Sequence, residues 1–217
     1  MQTLWQDLRF AVRMLKKNPG FTIVAVLTLA VAIGANAVVF SVMNGLFLRA
    51  LKVPQPENLY TLEHGSDKDS SESYPDYLDL RDRNRTFDGL IAYNIDQAAL
   101  DTGKNPSRAW VYEVSANYFE ALGIQPYLGR LIHPSDEHAP YIVLTHAYWH
   151  AHFQDDRSVV GRVLRLNSHP YTVVGVTPPR FRGTVLIFSA DFFVPIVNQQ
   201  QNDGADLLKG RGNRWIS

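Results

Sequence analysis

The feature that most constrains this chain is an uninterrupted apolar run near its N-terminus. None of the 28 residues from Phe21 to Leu48 is charged, and Ala, Val, Leu, Ile and Phe dominate the run. As a helix it would extend about 42 Å, whereas roughly 20 residues suffice to cross the hydrocarbon core of a bilayer. The run predicts one transmembrane helix that tilts or continues out of the membrane as a stalk, together covering residues 21–52.

Two alternative interpretations fit the length of this run less well. A signal peptide would be cleaved after a small-x-small site, which Ala35-Asn36-Ala37 provides, but the uncharged run continues for eleven more residues. A buried core helix of a soluble protein would have to be unusually long. We therefore expect a membrane span.

Residues 1–20 predict an amphipathic helix that lies in the membrane interface, with helical spacing over positions 2–17. Its apolar face consists of Leu4, Leu8, Ala11, Val12 and Leu15, and its polar, basic face of Gln6, Arg9, Arg13, Lys16 and Lys17. Asn18-Pro19-Gly20 then breaks the helix and lets the chain turn into the span. The alternative is a solvated helix that packs on a partner subunit.

Charge is distributed unevenly along the chain. Residues 1–52 carry six Lys or Arg against one acid, and residues 53–217 carry fifteen against twenty. A short basic segment beside an apolar helix favours contact with anionic membrane lipid. The lack of a basic stripe in the globular part argues against nucleic acid as a partner. Four cations lie just before the span and two, Arg49 and Lys52, lie just after it, so the positive-inside rule predicts a cytoplasmic N-terminus and an extracytoplasmic domain.

Small and polar residues within the span predict packing against another helix. A row of small residues at helical spacing allows close approach of a second helix, and amides are costly when they face lipid. The small row is Gly34, Ala37, Ser41 and Gly45, and the amides are Asn36 and Asn44. The alternative is that Gly and Ala are simply frequent in membrane spans.

Residues 53–217 predict an α+β domain of short strands and helices, because most of the predicted strands are expected to pair with a neighbouring strand as a hairpin. Strands are expected at 59–63, 91–93, 98–100, 108–114, 141–144, 161–166, 171–176 and 191–196. Helices are expected from a Ser73 cap to about residue 84, from a Ser115 cap over 116–122 with Gly123 after it, and from a Thr145 cap over 146–153. The last residues, 214–217, resemble the start of a further strand, so we expect the chain to be truncated.

A search for chemistry finds no enzyme motif, so neither catalysis nor a cofactor is predicted. The chain lacks cysteine, a phosphate-binding G-x-x-x-x-G-K-[ST] loop, a G-x-S-x-G elbow and an H-E-x-x-H zinc motif. His146 and His150 share a helix face and could ligate one ion, but His152 points elsewhere, and an aromatic-rich helix is the better interpretation. Asp76, Asp79 and Asp82 indicate a solvated, ion-paired helix face.

Several segments together resemble MacB-like permeases of the ABC-transporter family, in particular the acidobacterial-type group. They are residues 8–21 (LRFAVRMLKKNPGF), 27–30 (LTLA), 33–36 (IGAN), 73–77 (SYPDY), 114–119 (VSANYF), 122–124 (LGI), 159–162 (VVGR) and 171–179 (YTVVGVTPP). The likeness covers almost the whole chain in order, and the motifs are specific in combination although each is weak alone.

The resemblance implies a first span in the bacterial inner membrane, a two-lobed α+β periplasmic core domain over 53–217, and three later spans that this chain lacks. It also implies a homodimer at full length and a separate or fused cytoplasmic ABC ATPase. We therefore expect the N-terminal portion of a permease subunit that couples the ATPase to periplasmic work or export. The alternative is a stand-alone, membrane-tethered binding or sensor domain. Neither hypothesis identifies a transported substrate.

Overall fold

The protein is described by a computed structural model over residues 2–47, 53–62, 71–103, 106–185, 188–199 and 206–217. The chain divides into two compact units, Met1–Ala50 and Leu51–Ser217. The first unit contains two helices, α1 (Gln2–Lys17) and α2 (Pro19–Phe47), with Asn18 between them. Both helices were expected from the sequence, and the break falls where the Asn-Pro-Gly triplet predicts it.

The second unit combines short helices with a seven-stranded sheet, which confirms the α+β class. Its α-helices are α3 (Tyr74–Arg83), α4 (Tyr118–Ala121) and α5 (His146–Phe153). Its strands are β1 (Tyr93–Asp101), β2 (Ser107–Val114), β3 (Leu128–Gly129), β4 (Tyr141–Leu144), β5 (Val163–Leu166), β6 (His169–Val176) and β7 (Phe192–Pro195). Leu51–Ser217 is one compact unit, and its division into two lobes stays a prediction.

The sheet closes on itself. The strand order is β3-β6-β4-β7-β2-β1-β5, and a further pairing between β5 and β6 joins six of the strands into a ring. The hairpins β1–β2 and β5–β6 are antiparallel, whereas β2–β7 and β4–β6 are parallel. Closure leaves fewer free strand edges, which stabilises a sheet made of such short strands.

Side chains alternate between the two faces of the sheet, and each face packs against its own hydrophobic cluster. On β2, Val111 belongs to a cluster that includes Tyr148 and Trp149 of α5, and the next residue, Tyr112, belongs to a cluster that includes Phe119 of α4. Adjacent strand residues point to opposite faces, so one strand can supply both clusters. A third, smaller cluster joins α3 to the end of the described chain through Tyr74, Tyr77, Ala92, Ile196 and Ile216.

The sequence predicted the local turns and caps well. Ser73 accepts a hydrogen bond from the Asp76 amide (3.2 Å) and caps α3, and Thr145 accepts one from the Tyr148 amide (3.2 Å) and caps α5. Gly123 has a φ of +65° directly after the short helix α4, as expected for a terminating glycine. Asn167 and Ser168, both at positive φ, form the turn of the predicted hairpin.

Four local predictions were wrong. Residues 59–62 form no strand, and the separate strands expected at 91–93 and 98–100 are one strand, β1, because its polar middle pairs with β2 without interruption. Ser115 does not cap a helix with its hydroxyl, which instead accepts a hydrogen bond from the Ala92 amide at 3.1 Å. The expected C-terminal strand is a single bridge between Ile216 and Glu72.

Candidate membrane anchor and domain cleft

Helix α1 presents apolar and basic side chains to its surroundings at the positions whose side chains the structure describes, which exclude the predicted Leu4 and Leu8. Trp5, Phe10, Val12, Met14 and Leu15 are exposed large hydrophobic residues. The predicted basic residues Arg9, Arg13, Lys16 and Lys17 all lie in this helix and are exposed as well. An amphipathic helix of this composition is suited to the boundary between lipid headgroups and acyl chains.

An elbow at Asn18 joins α1 to α2, and Thr22 stabilises it. In a continuous helix the Leu15 carbonyl would accept a hydrogen bond from the amide of residue 19, but residue 19 is proline and has no N–H. The Thr22 hydroxyl lies 2.7 Å from the Leu15 carbonyl oxygen and 2.9 Å from that of Asn18, and its single proton serves one of them at a time. The elbow thus satisfies a carbonyl that the proline would leave without a partner.

The inner side of the elbow is a shallow recess of about 390 Å³. Its lining is mostly apolar and is shared between the end of α1 and the start of α2. The lining residues are Val12, Leu15, Lys16, Pro19, Thr22 and Ile23. Lys16 is the only charged residue among them, so the recess combines a hydrocarbon surface with one cation.

Helix α2 is the one described helix long and apolar enough to cross a membrane, over Pro19–Ser41. None of this stretch is buried within the structure, which rules out burial in the core of this chain. Its backbone hydrogen bonds are internal to the helix, as lipid requires. The described side chains along it are therefore suited to a hydrocarbon environment.

The predicted helix-packing residues lie in α2, but they do not all share one face. Gly34, Ala37 and Ser41 follow each other at spacings of three and four. The space above Gly34 is open, since an added Cβ would meet no atom within 4 Å. Asn36 lies on roughly the opposite side of the helix, and its amide donates to the Ala32 carbonyl at 3.0 Å. The side chain of Asn44 and the surroundings of Gly45 lie outside the described part, and helix–helix packing stays a prediction.

The domain carries a cleft of about 940 Å³ beside the segment that leads into it. Its walls come from residues 53–62, from the loop that precedes β1, from the end of α4 and from the C-terminal residues Ile216 and Ser217. Tyr60, Leu62, Leu80 and Phe87 are exposed apolar side chains that line it. Sequence reasoning missed this cleft, because its walls are distant along the chain.

The C-terminal segment closes onto the domain through backbone bonds and one arginine. Ser217 and Tyr93 exchange two backbone hydrogen bonds of 2.9 Å, and the Glu72 amide donates to the Ile216 carbonyl at 2.8 Å. The Arg211 guanidinium forms ion pairs with Asp76 and, at 2.7 Å, with Asp79 of α3. Hydrogen bonds from Ser73 and then from Arg211 lower the pKa of the Asp76 carboxyl.

The acidic face of α3 is ion-paired, as the sequence indicated. Asp82 pairs with Arg81 at 2.9 Å, but the partner of Asp76 and Asp79 lies more than a hundred residues further along the chain. No sequence signal identified Arg211 as that partner, because ion pairs between distant segments depend on the fold.

The three candidate metal-binding histidines have separate roles on α5. The His146 ring packs edge-on against Tyr127 with centroids 4.8 Å apart, and His152 stacks on Tyr148 at 4.0 Å. His150 Nδ1 lies 2.8 Å from Asp155. Among the residues that the structure describes, no three His, Cys, Asp or Glu side chains are grouped to hold a metal ion. The interpretation as an aromatic-rich helix fits these contacts.

Comparison with known proteins adds a family and a fold. The sequence profile of the MacB-like periplasmic core domain matches residues 22–213. No curated protein sequence matches the chain. Solved structures that are similar to it include two transporter domains. The periplasmic region of MacB from Actinobacillus actinomycetemcomitans has a TM-score of 0.55 at 17% identity, covering 71% of this chain and 69% of that one. The extracellular domain of the noncanonic ABC-type transporter YknZ from Gram-positive bacteria has a TM-score of 0.54 at 12% identity, covering 71% and 79%.

Proposed function

The chain belongs to the family of the MacB-like periplasmic core domain, and from this premise we propose that it is the N-terminal portion of an ABC-transporter permease subunit. In this proposal it is anchored in the bacterial inner membrane and couples a cytoplasmic ATPase to an extracytoplasmic domain. The coupling serves export or work outside the cytoplasm. The observation that carries the proposal is the extent of the family match, which begins inside α2 and continues through the domain to residue 213.

The fold supports a permease component rather than an enzyme. The solved structures that it resembles include the periplasmic region of MacB and the extracellular domain of an ABC-type transporter. The domain has a closed sheet with a buried core, which is suited to moving as one body. A cleft between the lead-in segment and the C-terminal residues provides a surface for a partner or a substrate.

Chain connectivity supports mechanical coupling between helix and domain. Five residues, 48–52, lie between Phe47, the last residue of α2, and Val53, the first described residue of the domain. Even fully extended, they reach only roughly 20 Å. A helix shift that exceeds the slack of this connection therefore has to move the domain. Work by an ATPase on the membrane side can reach the outside by this route.

The orientation in the proposal comes from charge. The cations of α1 precede the span, and positive residues favour the cytoplasmic side. The proposal therefore has the N-terminus inside and the domain in the periplasm. A homodimer would form in part through the small face of α2 at Gly34, Ala37 and Ser41.

Co-purification tests the proposal. The chain, expressed with whatever its gene encodes downstream, is tagged and extracted from membranes in mild detergent. The expected result is a dimer that brings down an ABC ATPase. A monomer without an ATPase contradicts the proposal and favours a tethered binding or sensor domain that uses the cleft.

A pair of matched variants tests the dimer contact. Ala37→Leu adds bulk to the small face of α2, and Ala32→Leu makes the same change on roughly the opposite face. We expect Ala37→Leu to weaken dimerisation and Ala32→Leu to leave it unchanged. Equal effects of the two changes would remove the small face from the proposal.

A further inference from the structure

The recess at the α1–α2 elbow has a shape and composition that the anchoring role alone does not require. Its apolar lining comes from Val12 and Leu15 on one helix and from Pro19 and Ile23 on the other. Lys16 stands at its edge, in the last turn of α1. A cation beside a hydrocarbon groove matches a molecule that has an anionic head and an apolar tail.

Charge around the recess is of one sign. From Leu8 to Phe47 the chain carries no acidic residue, and its cations are Arg9, Arg13, Lys16 and Lys17. Lys16 is the only one of the four that lines the recess. The cations nearby raise the local concentration of anions, whereas only Lys16 is placed to contact one inside the recess.

We propose that the elbow recess is a binding site for one anionic phospholipid of the phosphatidylglycerol type. The Lys16 ammonium would pair with the lipid phosphate, and the start of the acyl chains would lie against Val12, Leu15 and Ile23. The Thr22 hydroxyl is already engaged with the Leu15 and Asn18 carbonyl oxygens, so the phosphate contact falls to Lys16. The inference rests on the membrane anchoring in the proposed function and adds a headgroup preference to it.

Bound lipid would fix the angle of the elbow. The Thr22 hydroxyl bonds across the break between the helices, and apolar residues of both helices line the recess. A lipid between the helices adds contacts to both and ties the interfacial helix to the first turns of the span. The composition of the inner leaflet would then influence how α1 transmits movement.

Native mass spectrometry of the detergent-purified chain tests the site. The probes are phosphatidylglycerol and phosphatidylcholine with identical acyl chains, added in turn at equal concentration. We expect the wild-type chain to retain phosphatidylglycerol about fivefold more than phosphatidylcholine, from the attraction of one lysine to an anionic lipid. Lys16→Gln should abolish this preference. Lys17→Gln removes the same charge one residue away but outside the recess, and should keep most of the preference.

A second pair of variants tests the cavity without changing charge. Ile23→Trp should fill the recess and lower phosphatidylglycerol retention, and Ile33→Trp, further along α2, should not. The proposal is overturned if the wild-type chain shows no headgroup preference, or if Lys16→Gln and Lys17→Gln lose it equally.

Alkaline carbonate extraction separates this failure from failure of the anchor. A chain that stays in the membrane pellet but binds both lipids equally retains the anchor and loses the lipid site. A chain that leaves the pellet loses both.

Discussion

Helix α2 and the β-ring of the domain contain similar side chains in opposite settings. Leu29, Val31 and Ile33 of α2 are more than 60% exposed, whereas Val111, Phe192 and Phe193 in the domain are completely buried. The same preference of apolar surface to avoid water accounts for both, but the domain satisfies it by folding on itself and the helix requires another solvent. In the proposed anchoring, the domain is therefore stabilised by its own core, and helix α2 is stabilised by lipid.

If this contrast holds, a core mutation should unfold the domain without releasing the anchor. Phe193→Ala removes a ring that packs against Tyr112, Phe119 and Phe181 at centroid distances of 5.2–5.7 Å. The expected loss is about 3–5 kcal/mol of the free energy of unfolding. Urea unfolding followed by tryptophan fluorescence measures it, and the chain should still sediment with membranes.

The matched control is Phe87→Ala, because Phe87 is 40% exposed. Its cost should be much smaller than that of Phe193→Ala. Similar losses for the two variants would mean that the domain core is not where the structure places it.

The converse change should release the anchor and leave the domain intact. Ala30→Arg places a charge at the middle of the Pro19–Ser41 span. A central arginine costs about 2.5–3.5 kcal/mol in membrane insertion. We expect a larger fraction of the chain in the supernatant after carbonate extraction. Leu80→Arg, on the partly exposed surface of α3, is the control and should not change partition. Loss of the anchor in both variants would contradict a span at α2.

Within the domain, a partly buried ion pair should contribute more to the free energy of unfolding than an exposed one. Arg130 donates to both carboxylate oxygens of Asp136, and the His133 amide donates to it at 3.0 Å. Burial raises the pKa of Asp136, but these hydrogen bonds outweigh burial and hold the pKa below its usual value. Asp136→Asn should cost about 1.5–3 kcal/mol of unfolding free energy near neutral pH, because hydrogen bonds to a charged group are lost.

The pH dependence of that cost follows from the lowered pKa. The folded protein binds the proton of Asp136 less readily than the unfolded chain does. The stabilisation is therefore complete above the unfolded pKa, for which 3.8 is the usual value, and is lost as the pH falls through the folded pKa. Urea midpoints of the wild-type chain and Asp136→Asn should converge in acid. A constant difference down to low pH would show that the carboxylate charge is not the cause.

The smallest effect is expected at the exposed Arg211. Because solvent and salt screen its pairs with Asp76 and Asp79, Arg211→Gln should hardly change the urea midpoint. Local opening is the more sensitive measurement: hydrogen exchange at the Ser217 and Tyr93 amides, which pair with each other, should become faster. Unchanged exchange would show that the backbone bonds hold the C-terminal segment without help from Arg211.

The parts of the structure that the sequence predicted are local ones. A charge-free run of this length predicts a helix wherever the domain lies, and Ser73 and Thr145 cap helices that begin at the next residue. The proline at position 19 predicts the elbow for the same reason. In each case the determining residues are neighbours along the chain.

What the sequence could not predict depends on distant segments. The parallel pairs β2–β7 and β4–β6 join strands far apart in sequence, and nothing in an apolar strand of four residues specifies its partner. The Arg211 ion pairs and the walls of the cleft also depend on segments that are distant along the chain. The Thr22 bond to Leu15 is an exception, since a threonine three residues after a proline at a helix break was a usable local signal.

Labelling of single cysteines tests the central claim most directly, because the natural chain has no cysteine. Gln6→Cys reports on α1 and Lys209→Cys on an exposed position of the domain. A membrane-impermeant maleimide is applied to intact spheroplasts and again after permeabilisation. The account predicts that residue 209 is labelled at once and residue 6 only after permeabilisation. Labelling of both in intact spheroplasts, or of residue 6 alone, would contradict a membrane-anchored chain with its domain outside the cytoplasm.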